Sequence, residues 1–387
     1  MKIYKAFRYR IKPTTWQLAQ LEQYAGHCRF VWNKCLEINL RRLSEGQRIM
    51  YYQEMDFFSK LWKRSEEYGF LKECPAHCIQ QKLRDLERAF KDCFDKSQPN
   101  KRLPRFRKKS LHNSFRFPQP EQIEIDHSRV KLPKLGWVRF YLSREILGTL
   151  RFVTIAKDGG HWYISICTEL EIALPEVLPT TAIGIDMGVA NFAALSNGVL
   201  IRPINSFSHH AQRLAILQRR LSKKQKFSNN WKKIQQKIRI LHTKIANIRR
   251  DFIHKLTTRL SKSHAMVVVE ALKIKNMSKS AKGTINNPGK NVSAKSGLNK
   301  SILDQGWGMF KRQLKYKLEW MGGIYCEVTP QYTSQQCNKC GNINKANRIN
   351  QAQFCCQKCN ATEHADINAA LNILAAGHAV MACGASA

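Results

Sequence analysis

The sequence predicts a multidomain α+β protein, and three observations support this class. Apolar residues alternate with basic or polar ones at the N-terminus and again between 115 and 170, which is typical of strands. Between 14 and 95, and between 205 and 262, apolar residues recur three and four positions apart, which is typical of helices. Two CxxC pairs near the C-terminus predict a small metal-bound lobe. The 387 residues suffice for two or three domains.

The charge of the chain favours a polyanion as partner. Lys and Arg number 65 and Asp and Glu 28, so the formal net charge is +37. This exceeds what solubility needs and points to nucleic acid, with an acidic membrane surface as the alternative. No apolar run approaches the roughly 20 residues of a transmembrane helix, and the N-terminus lacks the apolar core of a signal peptide. A cytoplasmic protein with no membrane partner is therefore expected.

The first half of the chain predicts a β-region interrupted by helices. An alternating strand stops at Pro13, and helical patterns follow to about residue 95. A basic stretch with two prolines, 96–110, is expected to be an exposed connector. Short alternating runs from 115 to 170 predict a small barrel or sheet. Pro175 and Pro179 then mark a linker.

The second half alternates buried-type strands with basic helices. One strand ends at Asp186 and another at Glu270. Between them, residues 205–262 contain 16 Lys and Arg and one acid, which favours a helix facing phosphates over a merely solvated basic face. The Lys-, Gly- and Asn-rich stretch 273–303 predicts a mobile loop over a polyanion, or else a plain disordered linker.

The cysteine spacing predicts one structural zinc ion. Two CxxC pairs separated by 15 residues supply four thiolates, which close a tetrahedral ribbon site and leave no open position for catalysis. Cys355 adjoins the second pair, but only Cys356 keeps the CxxC spacing. The expected zinc ligands are Cys337, Cys340, Cys356 and Cys359. The paired spacing and the odd total of 13 cysteines favour a reducing compartment over disulfides.

Three isolated acids are candidate ligands of a second metal centre. Asp186 and Glu270 end buried-type strands, and Asp366 begins an apolar helix-like run. Any one of them alone is explained by capping or a salt bridge. Together, in a chain poor in acids, they predict a site for two Mg²⁺ ions about 3.5–4 Å apart around a scissile phosphate. Gly188 would let the chain turn directly after Asp186.

The same segments resemble the split motifs of RuvC-type nuclease domains. The stretches GIDMGVANFAALSNG, VVVEALKIKNM and HADINAALNI match in order, and the ribbon lies between the second and third. DQGWGMFKRQLKYKLEW, YTSQQC, KAFRYRIKP and KRLPRFRKK extend the match over nearly the whole chain. The chain thus resembles TnpB, the transposon OrfB family ancestral to type V CRISPR nucleases.

The resemblance implies an RNA-guided DNA endonuclease. Such a protein binds a guide RNA derived from the transposon end, reads a short motif beside its double-stranded DNA target and cuts both strands in one RuvC site. The implied catalytic ligands are Asp186, Glu270 and Asp366, with two Mg²⁺ ions for which Mn²⁺ would substitute. A monomer is favoured. In a prokaryote the protein would be cytoplasmic and nucleoid-associated.

The resemblance also implies a domain order. A β-barrel wedge domain (1–13 and 111–178) is split by a helical recognition domain (14–110). An RNase H-like RuvC nuclease domain (179–330 and 363–376) holds an inserted zinc ribbon (331–362). Nucleic-acid contacts are implied at Tyr52 and Gln80 and in the basic connector at Arg105, Arg107, Lys108 and Lys109.

The sequence departs from the family pattern in two places. His364 and Ala365 stand where the family often has an acid and an arginine, which could weaken metal affinity, and Asn360 replaces a glycine after the last ribbon cysteine.

Three rival interpretations are a DNA transposase, an RNA-guided repressor without cleavage and a basic zinc-ribbon protein without catalysis. All three acids are present, which argues against the last two.

Overall fold

The computed structural model describes residues 1–109, 113–173 and 181–383, which confirm the α+β class. They form two compact units, Met1–Ile172 and Ala173–Ala387. The predicted boundary at 178–179 lies outside the described residues, and the finer division into four domains stays a prediction. None of the helices in the described part of the chain combines the length and apolar character needed to cross a bilayer.

The first unit is a seven-stranded sheet with three helices inserted after its first strand. Strand order is β2-β6-β7-β1-β5-β4-β3. The strands are β1 (Lys2–Lys12), β2 (Ser114–Phe117), β3 (Glu124–Asp126), β4 (Arg129–Leu132), β5 (Gly136–Phe140), β6 (Thr149–Asp158) and β7 (His161–Glu171). The sheet has two edges, β2 and β3, so the closed wedge barrel stays a prediction.

The inserted helices begin where the sequence pattern changes. They are α1 (Thr15–Ser44), α2 (Tyr52–Arg64) and α3 (Ala76–Phe94). β1 stops before Pro13 as predicted, and Thr14 caps α1 because its Oγ1 accepts from the Gln17 amide at 3.2 Å. The basic connector is less free than expected. The Trp32 indole of α1 donates to the Arg105 carbonyl at 3.1 Å, and the Arg107 amide donates to Asn33 Oδ1 at 2.7 Å.

The second unit is built on a mixed five-stranded sheet. Strand order is β10-β9-β8-β11-β12, with β8, β11 and β12 parallel and β9 antiparallel to β8. The strands are β8 (Ala182–Asp186), β9 (Ala193–Leu195), β10 (Leu200–Ile201), β11 (Met266–Glu270) and β12 (Ile324–Val328). A separate two-stranded sheet pairs β13 (Gln353–Cys355) with β14 (Thr362–His364).

The helices of this unit are α4 (Ser208–Ser222), α5 (Asn229–Ser263), α6 (Ile274–Met277), α7 (Val292–Gln305), α8 (Trp307–Trp320) and α9 (Ala365–Ala382). Residues 205–262, predicted to be helical, are the antiparallel pair α4–α5. The apolar stripe expected on the long helix is Ile234, Ile238, Leu241, Ile245, Ile248 and Phe252. Leu241 and Ile245 are buried, and the other four are half-buried.

The prediction of a mobile loop or disordered linker over 273–303 is wrong for its second half. Residues 292–305 form α7, which is anchored through its C-terminal turn. Ile302 is buried, and the buried Asp304 carboxylate accepts from Arg249 at 2.6 Å and from the Ser206 hydroxyl at 2.8 Å. These partners lie 55 and 98 residues away in the chain, so local composition could not reveal the anchor.

Helix α9 lies unusually close to the sheet because of two glycines. A Cβ at Gly184 in β8 would meet the Ala370 carbonyl oxygen of α9 at 2.1 Å. A Cβ at Gly377 in α9 would meet the Val268 side chain of β11 at 2.4 Å. Neither distance is tolerable, so glycine at both positions permits the close packing that brings the start of α9 to the strand ends.

Candidate functional site

Asp186 and Glu270 lie at the carboxyl ends of neighbouring parallel strands. Ile185 of β8 pairs with Val269 of β11, so the next residue of each strand is an acid at the same sheet edge. In sheets with parallel strands, this edge is where ligands bind. Asp186 is half-buried and Glu270 is 7% exposed.

Asp366 joins them from the first turn of α9. The interpretation of Asp366 as a simple helix cap is excluded, because His364 is the N-cap residue and its Nδ1 accepts the Asp366 amide at 3.2 Å. The Asp366 carboxylate instead forms a salt bridge with Arg348, the other contact expected of an isolated acid. His364, which departs from the family pattern, thus has a structural function in this chain.

The negative charges of Glu270 and Asp366 act on Asp186. Burial, and then the negative charges of Glu270 and Asp366, raise the pKa of Asp186 to about 7, whereas Arg348 opposes the shift. Burial also raises the pKa of Glu270, against a hydrogen bond from Thr333. Burial and the neighbouring acids thus disfavour the ionised form of Asp186, and a bound cation would favour it.

Four residues that the sequence reasoning missed hold these acids in place. The Thr333 hydroxyl donates to Glu270 Oε1 at 2.6 Å, and the Asn191 amide donates to Asp366 Oδ2 at 3.4 Å. Arg348 Nη2 lies 3.1 Å from Asp366 Oδ1. The fourth residue is Lys311, whose ammonium donates to the Glu270 carbonyl at 3.3 Å. Asn191, Thr333 and Lys311 stand inside motif stretches named above, but their contacts span 41 to 175 residues and could not be assigned from sequence spacing.

The tight turn after β8 returns Asn191 to the acids. The Gly188 amide donates to the Phe192 carbonyl at 3.3 Å, and a Cβ at position 188 would lie 2.9 Å from the Asn191 carbonyl oxygen. Glycine is thus needed for this turn, as the sequence predicted.

The donor set suits a hard divalent cation. Three carboxylates and the neighbouring Asn191 carboxamide offer oxygen ligands of the kind Mg²⁺ prefers, and the mutual repulsion that raises the pKa of Asp186 would be relieved by a cation. Acids supplied by three different elements could share their oxygens between two such ions.

The ribbon brings its four predicted cysteines together. Among the residues that the structure describes, Cys337, Cys340, Cys356 and Cys359 are the only group of three or more potential ligands whose atoms all lie within 4.8 Å of one another. The Cys337–Cys359 and Cys340–Cys356 sulfur atoms are 3.7 and 3.5 Å apart. Four zinc–sulfur bonds of about 2.3 Å would give about 3.8 Å between sulfurs in a tetrahedron, so the geometry fits zinc.

The local backbone prepares the ribbon for a metal. The Cys359 amide, and then the Lys358 amide, donate to Cys356 Sγ and help lower the pKa of this thiol to about 6. Gly341 and Asn360, one residue past each CxxC pair, take φ of 72° and 57°. Asn360 thus adopts a left-handed turn in the position where the family has a glycine. Cys355 lies in β13, outside the four-cysteine group.

Asparagines of α9 attach the ribbon to the candidate site. The fully buried Asn368 accepts from the Asn338 amide at 3.0 Å and donates to the Gln336 carbonyl at 2.8 Å. Asn372 donates to the Thr333 carbonyl at 3.0 Å. The ribbon, Thr333 and Asp366 are therefore connected through one helix.

The predicted nucleic-acid contacts all lie in the first unit, whereas the three acids belong to the second. Tyr52 and Gln80 are half-buried on α2 and α3, and the Arg84 guanidinium lies 4.7 Å from the Tyr52 ring centroid. Arg107 is half-buried and stacks 3.7 Å above Trp32, and its pKa is lowered by burial. The exposed members of the set are Arg105, Lys108 and Lys109. These contacts stay predictions.

Comparisons with known protein families match three parts of the chain. A model described as "Probable transposase" matches residues 165–281, which include Asp186 and Glu270. A "Cas12f1-like, TNB domain" model matches residues 307–373, which include the four cysteines and Asp366. A "Helix-turn-helix domain" model matches residues 1–48, which form β1 and α1 in this structure.

Full-length relatives extend the match. The chain is 48% identical to the "Putative RNA-guided DNA endonuclease InsQ" of Escherichia coli K12, over 99% of this chain and 95% of that protein. It is 32% identical to a "Putative RNA-guided DNA endonuclease" of Streptomyces pristinaespiralis, over 99% of this chain and 92% of that protein. A Cas12f1 endodeoxyribonuclease of Sulfoacidibacillus thermotolerans is 48% identical over 18% of this chain and 17% of its own length.

The extent and identity of these matches settle the family. Both full-length alignments run across the strands that bear Asp186 and Glu270 and across the ribbon with Asp366. The chain belongs to the TnpB family, the OrfB proteins of transposons.

Proposed function

We propose that this protein is an RNA-guided DNA endonuclease of a transposon. Its nuclease site would comprise Asp186, Glu270 and Asp366 in an RNase H-like RuvC domain. Its guide would be an RNA derived from the transposon end, and it would recognise a short motif beside a double-stranded target and cut both strands. The net charge of +37 supports both RNA and DNA as polyanionic partners.

One observation carries the proposal more than any other. Acids from β11 and α9 raise the pKa of the acid that ends β8, at the carboxyl edge of a sheet, in a chain whose relatives of nearly equal length are named RNA-guided DNA endonucleases. Loss of any one acid would have favoured the repressor interpretation, and a basic ribbon protein without catalysis would need none of them.

Bound Mg²⁺ would supply the activated water and the stabilisation of the leaving 3′-oxygen. The ligands would be Asp186, Glu270 and Asp366, which burial, Thr333 and Asn191 hold in position before substrate arrives. Gly188 allows the tight turn that brings Asn191 back beside the acids. Arg348 pairs with Asp366 and would provide a positive charge beside the incoming phosphodiester.

The zinc-binding cysteines would serve the site structurally. Cys337, Cys340, Cys356 and Cys359 would hold one Zn²⁺ with no open coordination position. The folded ribbon then presents Arg348, and its attachment to Asn368 fixes it on α9.

The test requires the guide RNA. Sequencing the RNA that copurifies with the protein, together with the DNA flanking its gene, would identify this guide. A plasmid carrying the matching target and flanking motif is then incubated with protein, guide and Mg²⁺. Linearisation that depends on all three and on target complementarity is expected. Plasmid that stays supercoiled with its cognate guide would refute the proposal.

A DNA transposase is the second candidate, because the matched family model is described in those words. A transposase would join transposon ends to a new DNA site without a guide. Strand transfer in protein freed of RNA would favour it, whereas cleavage that disappears on ribonuclease treatment before assembly would favour the guided nuclease.

A further inference from the structure

The turn between α4 and α5 presents an aromatic side chain to solvent from a strained backbone. Phe227 has φ of 70°, in the left-handed region that bulky L-residues avoid, and its side chain is 66% exposed. Glycine or asparagine would fit this backbone better. The conformation thus costs stability and places a phenyl ring in water, which calls for a compensating role.

The hairpin below holds this tip in place. Leu214 of α4 packs with Leu241 and Ile245 of α5 in a small core of their own. At the other end of the turn, Ser228 caps α5, since its Oγ accepts the Trp231 amide at 3.2 Å. The position of the turn is therefore defined by packing on one side and a cap on the other.

Trp231 provides a second ring beside Phe227. Their centroids lie 5.6 Å apart at an interplanar angle of 59°, so the two rings form an open wedge instead of a closed stack. A contact between the residue before a helix cap and a residue of the first turn can also serve only to fix the direction in which the chain enters the helix. In that role the Phe227 ring would be covered by its partner, but it stays mostly exposed.

Lysines surround the wedge. The segment 223–233, KKQKFSNNWKK, contains no acid, and all five of its lysines are exposed. They are Lys223, Lys224, Lys226, Lys232 and Lys233. The Lys226 ammonium lies 5.4 Å from the Phe227 ring centroid. The exposed Phe227 ring and the half-buried Trp231 ring, next to several cations, are the combination that binds unpaired nucleotides, with stacking on the base and ion pairs to the phosphates.

We propose that the α4–α5 tip stacks on an unpaired base of the bound guide RNA, with Phe227 and Trp231 contacting the base and the surrounding lysines contacting flanking phosphates. This inference rests on the proposed function for the existence of the guide. An RNA is favoured over duplex DNA, because folded RNAs display unpaired bases in loops and bulges, whereas a paired duplex offers no free base face away from its ends.

The test compares variants of the full chain bound to the RNA that copurifies with it. Phe227→Gly removes the ring and also relieves the backbone strain, so RNA affinity should fall about tenfold while the melting temperature holds or rises. Phe227→Tyr keeps a stacking ring and should bind as wild type does. Phe94→Ala is the matched control, since Phe94 is 54% exposed on another helix but flanked by Asp92 and Asp95.

Ultraviolet cross-linking locates the contact directly. A peptide containing Phe227 or Trp231 should be attached to a nucleotide of the RNA in the wild-type complex. Replacing Lys224, Lys226 and Lys232 with Gln should flatten the salt dependence of RNA binding. Unchanged RNA affinity in Phe227→Gly, a lower melting temperature in that variant, or cross-links only to target DNA would each overturn the inference.

The outcomes separate this inference from the proposed function. If a defined RNA copurifies and directs cleavage while Phe227→Gly binds it normally, the tip inference alone fails. If no defined RNA copurifies, both fail together.

Discussion

The guanidinium of Arg348 lies 3.1 Å from the carboxylate of Asp366, so the four-cysteine ribbon directly contacts the candidate active site. Arg348 stands between the two CxxC pairs, and Asp366 follows the ribbon on α9. This contact gives the ribbon a role beyond a separately folded lobe, because a charge that it carries changes the ionisation of the neighbouring Asp186.

Loss of any one carboxylate should abolish cleavage without abolishing binding. Asp186→Ala, Glu270→Ala and Asp366→Ala each remove a ligand from a shared centre, so each should cost nearly as much as the triple variant. Guide and target binding should persist, since phosphate contacts and base pairing supply that energy. Asp251→Ala removes an exposed acid of α5 and is the control. Plasmid cleavage by Asp366→Ala at the wild-type rate would contradict this assignment.

The Mg²⁺ requirement should rise as the pH falls. The pKa of Asp186 is raised to about 7, so below that pH the metal-free carboxyl is protonated and a metal ion must displace the proton. The Mg²⁺ concentration for half-maximal cleavage should increase about tenfold for each pH unit below about 7, and should level off above it. Cleavage assays across pH at several Mg²⁺ concentrations measure this. A requirement independent of pH between 5 and 7 would be the contrary result.

Removal of Arg348 should shift that pH dependence upward. The positive charge of Arg348 lowers the pKa of Asp186, so Arg348→Ala should move the midpoint of the Mg²⁺ requirement to higher pH. Arg348→Lys keeps the charge and should move it less. Lys345→Ala removes an equal charge from an exposed ribbon position and should leave the midpoint in place. Equal midpoints for wild type and Arg348→Ala would show that the ion pair has no influence on the site.

Zinc should be lost on substitution of a ribbon cysteine but not of its neighbour. Cys356→Ser removes a thiolate from the four-sulfur group and should abolish zinc binding and lower the melting temperature of the second unit. Cys355→Ser, one residue away in β13, should keep the metal. Metal analysis of protein purified without chelator checks both, and wild-type protein free of zinc would refute the ribbon assignment.

Binding of the guide RNA should weaken steeply with salt. Neutralisation of each phosphate by Lys or Arg releases counterions, so the logarithm of the affinity should fall linearly with the logarithm of salt, by about 0.7 for each phosphate contacted on a single strand. Titrations between low and physiological ionic strength give the slope. A flat response would argue against the basic helices as an RNA surface.

The sequence alone determined the elements that depend on local pattern. The strand ending before Pro13, the helices between 14 and 95 and the two CxxC knuckles follow from alternation, helical spacing and metal-ligand spacing, and the structure confirms each. Those signals are visible because the physical cause, burial of one face or a turn around a metal, acts between residues close in the chain.

Only the tertiary structure decided what lies around the acids. Thr333 bonds Glu270 from 63 residues away in the chain, and Asn191 bonds Asp366 from 175 residues away, so neither contact can be inferred from a local sequence pattern. Helix α7 escaped prediction for the same reason, since its anchor at Asp304 depends on Ser206 and Arg249. The sequence could name three isolated acids as candidates. The effect of Glu270 and Asp366 on the pKa of Asp186 exists only once distant segments pack together. The same is true of the close approach of α9 to the sheet, which Gly184 and Gly377 allow.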